Sequence, residues 1–176
     1  MSILKPGLEE RYERVKQSLA DDEMRFGREP GSVFLLPISK TFGIDALEEA
    51  VKCGMRAFGE NYVQEGCEKI EYFKKQHPDL EITWHFIGHL QSNKTRPVAE
   101  HFDWVQTVER LKIAQRLSEQ RPADMPPLNV LIEVHISDEE QKRLPASRRP
   151  GPGSSYHIAS ELKASRHHGN SGTLGY

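Results

Sequence analysis

The chain has 176 residues, of which 36% are hydrophobic and 28% are charged, and its formal net charge is −2. This length is enough for one domain with a core, and the nearly balanced charge gives no reason to expect a nucleic-acid or membrane partner. No stretch approaches the roughly 20 apolar residues needed to span a bilayer, and the N-terminus lacks the apolar core of a signal peptide, so we expect a cytoplasmic protein.

Helices and strands alternate along the first 142 residues. The chain opens with an amphipathic helix, because Leu8, Tyr12, Val15 and Leu19 recur at helical spacing. Strands are then predicted at residues 33–38, 57–59, 82–87, 104–106 and 130–134, with helices at 45–53, 61–76, 93–101 and 109–120. A helix between each pair of strands demands parallel strands joined by right-handed crossovers. The pattern therefore predicts an α/β fold.

Two α/β architectures fit this order, an open doubly wound sheet and a (β/α)8 barrel. The open sheet usually carries a glycine-rich phosphate loop after its first strand, but neither G-x-G-x-x-G nor G-x-x-x-x-G-K-[ST] occurs there. Polar residues instead follow successive predicted strands: Lys40 after the first, Glu60 and Asn61 after the second, and the segment 85–93 in and after the third. Because the active face of a barrel is the C-terminal end of its strands, this placement favours the barrel.

The stretch "VFLLPISKTF" places Lys40 at the tip of an apolar strand. Partial burial at a barrel mouth disfavours the ammonium form of a lysine, so a nucleophilic amine becomes accessible near neutral pH. The alternative is a lysine that extends from the strand end into solvent. Spacing alone leaves both interpretations open.

Metal binding is not expected. His85 and His89 have the i, i+4 spacing of a helical ligand pair, but "ITWHFIG" is typical of a strand, where two such side chains would not converge as they do on a helix. Cys53 and Cys67 lack C-x-x-C spacing, so we also expect neither a disulfide scaffold nor a thiolate zinc site.

Four segments in order, "ISKT", "FGENYVQEG", "WHFIGHLQSNK" and "PPLNVLIEVHIS", closely resemble the pyridoxal phosphate homeostasis protein family. These proteins are single-domain barrels related to the N-terminal domain of alanine racemase, and the resemblance covers about residues 6–142. It implies that Lys40 holds pyridoxal 5'-phosphate as a Schiff base, without established catalytic turnover, in a monomeric protein that helps to regulate the free cofactor.

The same resemblance implies further cofactor-binding residues, each with an ordinary structural alternative. They are Asn61, His85, Gln91, Asn93 and Lys142. Asn61 is followed three residues later by Gln64, which is typical of a helix cap. Gln91 and Asn93 suit ordinary hydrogen bonds within a loop.

The resemblance has two departures. Phe42 stands where related sequences commonly carry a second lysine, and nothing after Lys142 corresponds to the family. Residues 143–176 are rich in Gly, Pro and Ser and change from acidic to basic, which is typical of a disordered tail. We therefore expect a partial barrel domain at 1–142, with about five of eight βα units, and an unrelated tail at 143–176 that a shift of reading frame would explain.

Two other functions stay open at this stage. One is an alanine racemase-like amino-acid isomerase, which would use the same lysine as a proton-transfer base. The other is an inactive truncated product, because a five-stranded open barrel leaves unpaired strand edges.

Overall fold

The computed structural model describes residues 7–134. Its helices are α1 (Leu8–Arg25), α2 (Ile44–Lys52), α3 (Val63–Gln76), α4 (Thr95–His101) and α5 (Leu111–Gln120), and a 3-10 turn at Ser92–Lys94 precedes α4. Its strands are β1 (Ala57–Glu60), β2 (Thr83–Phe86), β3 (Trp104–Val108) and β4 (Asn129–Ile132). Each predicted helix, and each predicted strand from residue 57 onward, is present with bounds shifted by a few residues.

The strands form one parallel sheet in the order β1-β2-β3-β4. Neighbours in the chain are thus neighbours in the sheet, and each parallel pair is joined through a helix, as right-handed crossovers require. A doubly wound sheet would reverse its strand order partway, whereas a barrel adds strands in sequence. The α/β prediction is confirmed, and the strand order is of the barrel type, although residues 7–134 do not close the sheet.

The core lies between the sheet and its helices. Phe58 of β1 packs near Trp84 of β2 with ring centroids 5.5 Å apart, and Phe86 meets Phe102 edge-on at 5.5 Å. Alternation along a strand sends the residues between these to the other face of the sheet. In β2, His85 is therefore on the face opposite Trp84 and Phe86.

The predicted strand at residues 33–38 is wrong as a regular strand. Only Ile38 pairs, in an isolated parallel bridge to Gly59, in which Gly59 N–H donates to Pro37 O at 2.8 Å and Ser39 N–H donates to Gly59 O at 3.0 Å. The Val33 amide instead donates to the buried Glu23 carboxylate at 2.7 Å. Proline has no N–H to donate, so this apolar run borders β1 without a ladder.

Two expectations concern residues outside the described range. Lys142 and the tail at 143–176 lie beyond residue 134, so the domain boundary stays a prediction.

Across 7–134, none of the helices combines the length and the apolar character that crossing a bilayer requires.

Candidate ligand-binding site

Lys40 lies just beyond the carboxyl edge of the sheet. It follows by two residues the bridge between Ile38 and Gly59, in a turn closed by a hydrogen bond from Phe42 N–H to Ser39 O at 3.1 Å. The Lys40 side chain is exposed, and within residues 7–134 its amine has no hydrogen-bond or ion-pair partner. The amine is therefore available to a ligand at this edge.

Asn61 does not cap α3. The residue at the capping position is Tyr62, and its side chain makes no capping hydrogen bond. The Asn61 Oδ1 atom is buried and has no partner among the described residues. A buried acceptor without a donor is costly, so the capping explanation is wrong and this oxygen remains an unused acceptor directly after β1.

His85 lies on the face of the sheet opposite the helices, among aromatic rings. Its ring stacks on Trp104 with centroids 5.6 Å apart and planes 11° apart, and Phe34 lies on it at 6.0 Å. The Gln106 amide Nε2 donates to His85 Nδ1 at 3.0 Å. The neutral ring then carries its hydrogen on Nε2, and this buried atom has no partner within residues 7–134.

Burial also controls the protonation of His85. It lowers the pKa of the imidazole from its ordinary value of 6.5, and the nearby Asp103 carboxylate opposes this only in part. Below that pH the unfolded chain binds a proton that the folded protein resists, so stability falls as the pH drops from about 6.5 toward the folded-state pKa.

We expect the H85Q variant to show a flatter dependence of unfolding free energy on pH between about 7.5 and 5.5 than the wild type. Urea unfolding at a series of pH values measures this slope. The H89Q variant is the control for the loss of a histidine, because the side chain of His89 is 62% exposed, and H85Q should flatten the slope more than H89Q does. An unchanged slope in H85Q would contradict the assignment.

The loop after β2 contains the remaining described candidates. Gln91 and Asn93 are exposed, and within 7–134 neither side chain has a hydrogen-bond partner. Gly88 begins this loop against Asn61, since a Cβ atom built on Gly88 would lie 2.3 Å from Asn61 O. The Thr107 hydroxyl of β3 donates to Gly88 O at 2.5 Å. The ends of β1, β2 and β3 are thus held together at one edge.

A buried charge network beneath Lys40 was not expected from the sequence. The Lys69 ammonium donates to Glu60 Oε1 at 2.7 Å, to Glu65 Oε1 at 2.5 Å and to the Ser39 carbonyl at 2.8 Å. The side chains of Lys69 and Glu60 are 4% and 0% exposed. One signal was present: Lys69 lies on the helical face of α3 that buries Gly66, Ile70 and Phe73.

The structure brings most of the predicted residues to the same edge of the sheet. Lys40 and Asn61 follow adjacent segments, His85 lies near the end of β2, and Gln91 and Asn93 are in the loop that follows; Lys142 is outside the described residues. The edge offers an amine nucleophile at Lys40, together with an acceptor at Asn61 and a donor at His85 that have no partner among the described residues. Within 7–134, no cluster of three His, Cys, Asp or Glu side chains could hold a metal ion.

Comparison with known proteins gives relatives over about three-quarters of the chain. It is 55% identical over 135 residues to the pyridoxal phosphate homeostasis protein of Vibrio cholerae, covering 77% of this chain and 57% of that protein. The identity is 63% over 115 residues to the protein of the same name from Haemophilus influenzae, covering 65% and 48%. The chain therefore spans about half the length of the curated relatives it matches.

A solved structure agrees with the fold. The crystal structure of an unknown protein from Bifidobacterium adolescentis matches with a TM-score of 0.68 and 34% identity, over 76% of this chain and 57% of that one. No protein-family model matches the chain.

Proposed function

The matched part of this chain belongs to the pyridoxal phosphate homeostasis protein family, and from that premise we propose that Lys40 reversibly holds pyridoxal 5'-phosphate. The cofactor supplies an electrophilic aldehyde. The Lys40 amine would bond to the aldehyde carbon with loss of water, giving a Schiff base that hydrolysis reverses. The role proposed is to bind and release the cofactor in the cytoplasm, as a monomer and without catalytic turnover.

The observation that carries this proposal is the exposed amine of Lys40 at the carboxyl edge of a parallel sheet, where no residue of the described range 7–134 pairs with it. In α/β folds that edge is where ligands bind. The residues present also fit a polar ligand that supplies both a hydrogen-bond donor and an acceptor. Asn61 Oδ1 is a buried acceptor and His85 Nε2 a buried donor, each without a partner in the described part of the chain.

These side chains would divide the work of holding the ligand. Lys40 would form the covalent bond, and Asn61 and His85 would orient polar substituents of the ligand. A ligand that supplies the missing hydrogen-bond partner removes the free-energy cost of leaving these buried groups unpaired. The exposed Gln91 and Asn93 would contact the outer part of the ligand, and the sequence resemblance adds Lys142. Since the described residues are only part of the relatives' length, we propose no phosphate-binding residues among them.

The test is chemical trapping. We expect incubation with excess pyridoxal phosphate, borohydride reduction and peptide mapping to place most of the label on Lys40, and the K40R variant to lose roughly tenfold or more of the total label. The K112R variant is the control, because Lys112 is an exposed lysine on α5. Equal labelling of all exposed lysines in the wild type would count against a specific site.

A further inference from the structure

Ser39, the residue before Lys40, is held by hydrogen bonds at three of its atoms. The Ser39 amide donates to Gly59 O at 3.0 Å, and its hydroxyl donates to Glu60 Oε1 at 2.5 Å. Its carbonyl accepts from Lys69 Nζ at 2.8 Å. Ser39 is buried, with 5% of its surface exposed, so the backbone just before Lys40 has a fixed position.

On its C-terminal side, Lys40 is followed by a strained residue. Thr41 has φ 66°, and within residues 7–134 it is the only residue other than glycine with a positive φ. For a β-branched residue this conformation is a genuine outlier, and it persists only where surrounding contacts impose it. Two hydrogen bonds hold it there: Phe42 N–H donates to Ser39 O at 3.1 Å and closes the turn, and the Thr41 amide donates to Glu65 Oε1 at 2.8 Å.

Glu65 is itself held in place. It lies in the first turn of α3, and its Oε1 atom accepts from Lys69 Nζ at 2.5 Å. The turn at Lys40 is held by Ser39 on one side and by Glu65 on the other. Lys69 connects these two residues, because its three N–H groups donate to Ser39, Glu60 and Glu65. Within residues 7–134, no hydrogen bond or ion pair joins Glu65 to Lys40 directly, so the influence of Glu65 on the lysine passes through Thr41.

We propose that Glu65 is a positioning residue for Lys40: by holding Thr41 in the left-handed conformation it fixes the backbone on which the lysine amine is presented to its ligand. This inference rests on the proposed binding of pyridoxal phosphate at Lys40. Without the carboxylate, the hydrogen bond from Phe42 N–H to Ser39 O alone holds the strained residue. Thr41 then samples negative φ as well, and the long lysine side chain starts from a different backbone direction. Reaction at a fixed ligand position then slows, because misplacement of a reacting group by about 1 Å can cost up to about a hundredfold in rate.

The experiment measures the rate of borohydride-trapped labelling at Lys40 with subsaturating pyridoxal phosphate. We expect the E65A variant to label Lys40 roughly tenfold more slowly than the wild type, and hydrogen exchange of the Thr41 amide to be faster in that variant. The matched control is E68A, three residues along α3, where the carboxylate is exposed and, within residues 7–134, accepts only from Gln64; it should label Lys40 at the wild-type rate.

A second variant separates positioning from general destabilisation. Glycine adopts positive φ without the Cβ penalty, so the T41G substitution in the E65A background should recover most of the labelling rate. It cannot restore the ion pair between Glu65 and Lys69, and the thermal stability lost in E65A should therefore stay lost. Recovery of rate without recovery of stability is the signature of positioning.

The outcomes are distinct. If the wild type labels all exposed lysines equally, the proposed function fails, and the role of Glu65 fails with it. If the wild type labels Lys40 selectively and E65A does so at the same rate, binding at Lys40 stands and the positioning role is overturned. Slow labelling in E65A that T41G does not recover also overturns it, because Glu65 would then act by another route.

Discussion

The K69M variant is expected to lose about 3–5 kcal/mol of unfolding free energy, the usual cost of removing one partner of a buried ion pair. Glu60 is completely buried and would lose its counter-ion, and the Ser39 carbonyl would lose one of its two donors. Methionine fills a similar volume, so the loss comes from charge and hydrogen bonding rather than from a cavity. Urea unfolding followed by circular dichroism measures it.

Two further variants check the cause of that loss. K75M removes an exposed lysine from the same helix and should stay within about 0.5 kcal/mol of the wild type, as surface substitutions usually do. The E60Q/K69M double variant removes both charges and should recover part of the stability. A K69M protein as stable as K75M would show that the network contributes little.

The G88A variant is expected to be destabilised toward the upper end of the about 1–3 kcal/mol typical of overpacking. The added Cβ would lie 2.3 Å from Asn61 O and 2.8 Å from Asn61 Cα. Both are backbone atoms that cannot turn aside as a side chain can, so the ends of β1 and β2 must move apart. Asn61 would move with them, and labelling of Lys40 by pyridoxal phosphate should weaken in parallel.

The matched control for this variant is G43A. A Cβ on Gly43 would meet nothing within 4 Å, so steric strain is absent and only a small effect on the start of α2 is expected. Thermal unfolding of the two variants side by side gives the comparison. Equal melting temperatures for G88A and the wild type would mean that the strand ends can separate without cost.

Periodicity predicted most of the fold because a half-buried helix or strand must repeat its apolar positions. The prediction of a strand at residues 33–38 was wrong for the opposite reason. This continuous apolar run has no alternation, and hydrophobicity alone does not indicate which acceptors the backbone amides hydrogen-bond to. In the structure the amide of Val33 goes to Glu23. The sequence carries no local signal for a carboxylate ten residues away.

Part of the candidate site was predicted from the sequence and part was missed, for a similar physical reason. Lys40 follows the segment that is bridged to β1 and Asn61 follows β1 itself, and residues after such parallel segments meet at one edge of the sheet. The network around Lys69 was missed because Glu65 and Lys69 have i, i+4 spacing, which usually indicates a solvated pair on a helix surface. Its burial depends on Glu60, which joins it from a strand across the loop between β1 and α3.

The two tryptophans of the chain lie on neighbouring strands but on opposite faces of the sheet. Trp84 is 3% exposed and lies against Phe58 and Phe73 in the core, whereas Trp104 stacks on His85. Their fluorescence therefore reports separately on changes beside His85 and on unfolding of the core, which a single probe would not distinguish. With Trp84 replaced by phenylalanine, the remaining emission reports on the ring of His85 and on anything seated beside it; with Trp104 replaced instead, it reports on the integrity of the core. The sheet carries an internal optical reporter for each of its two faces.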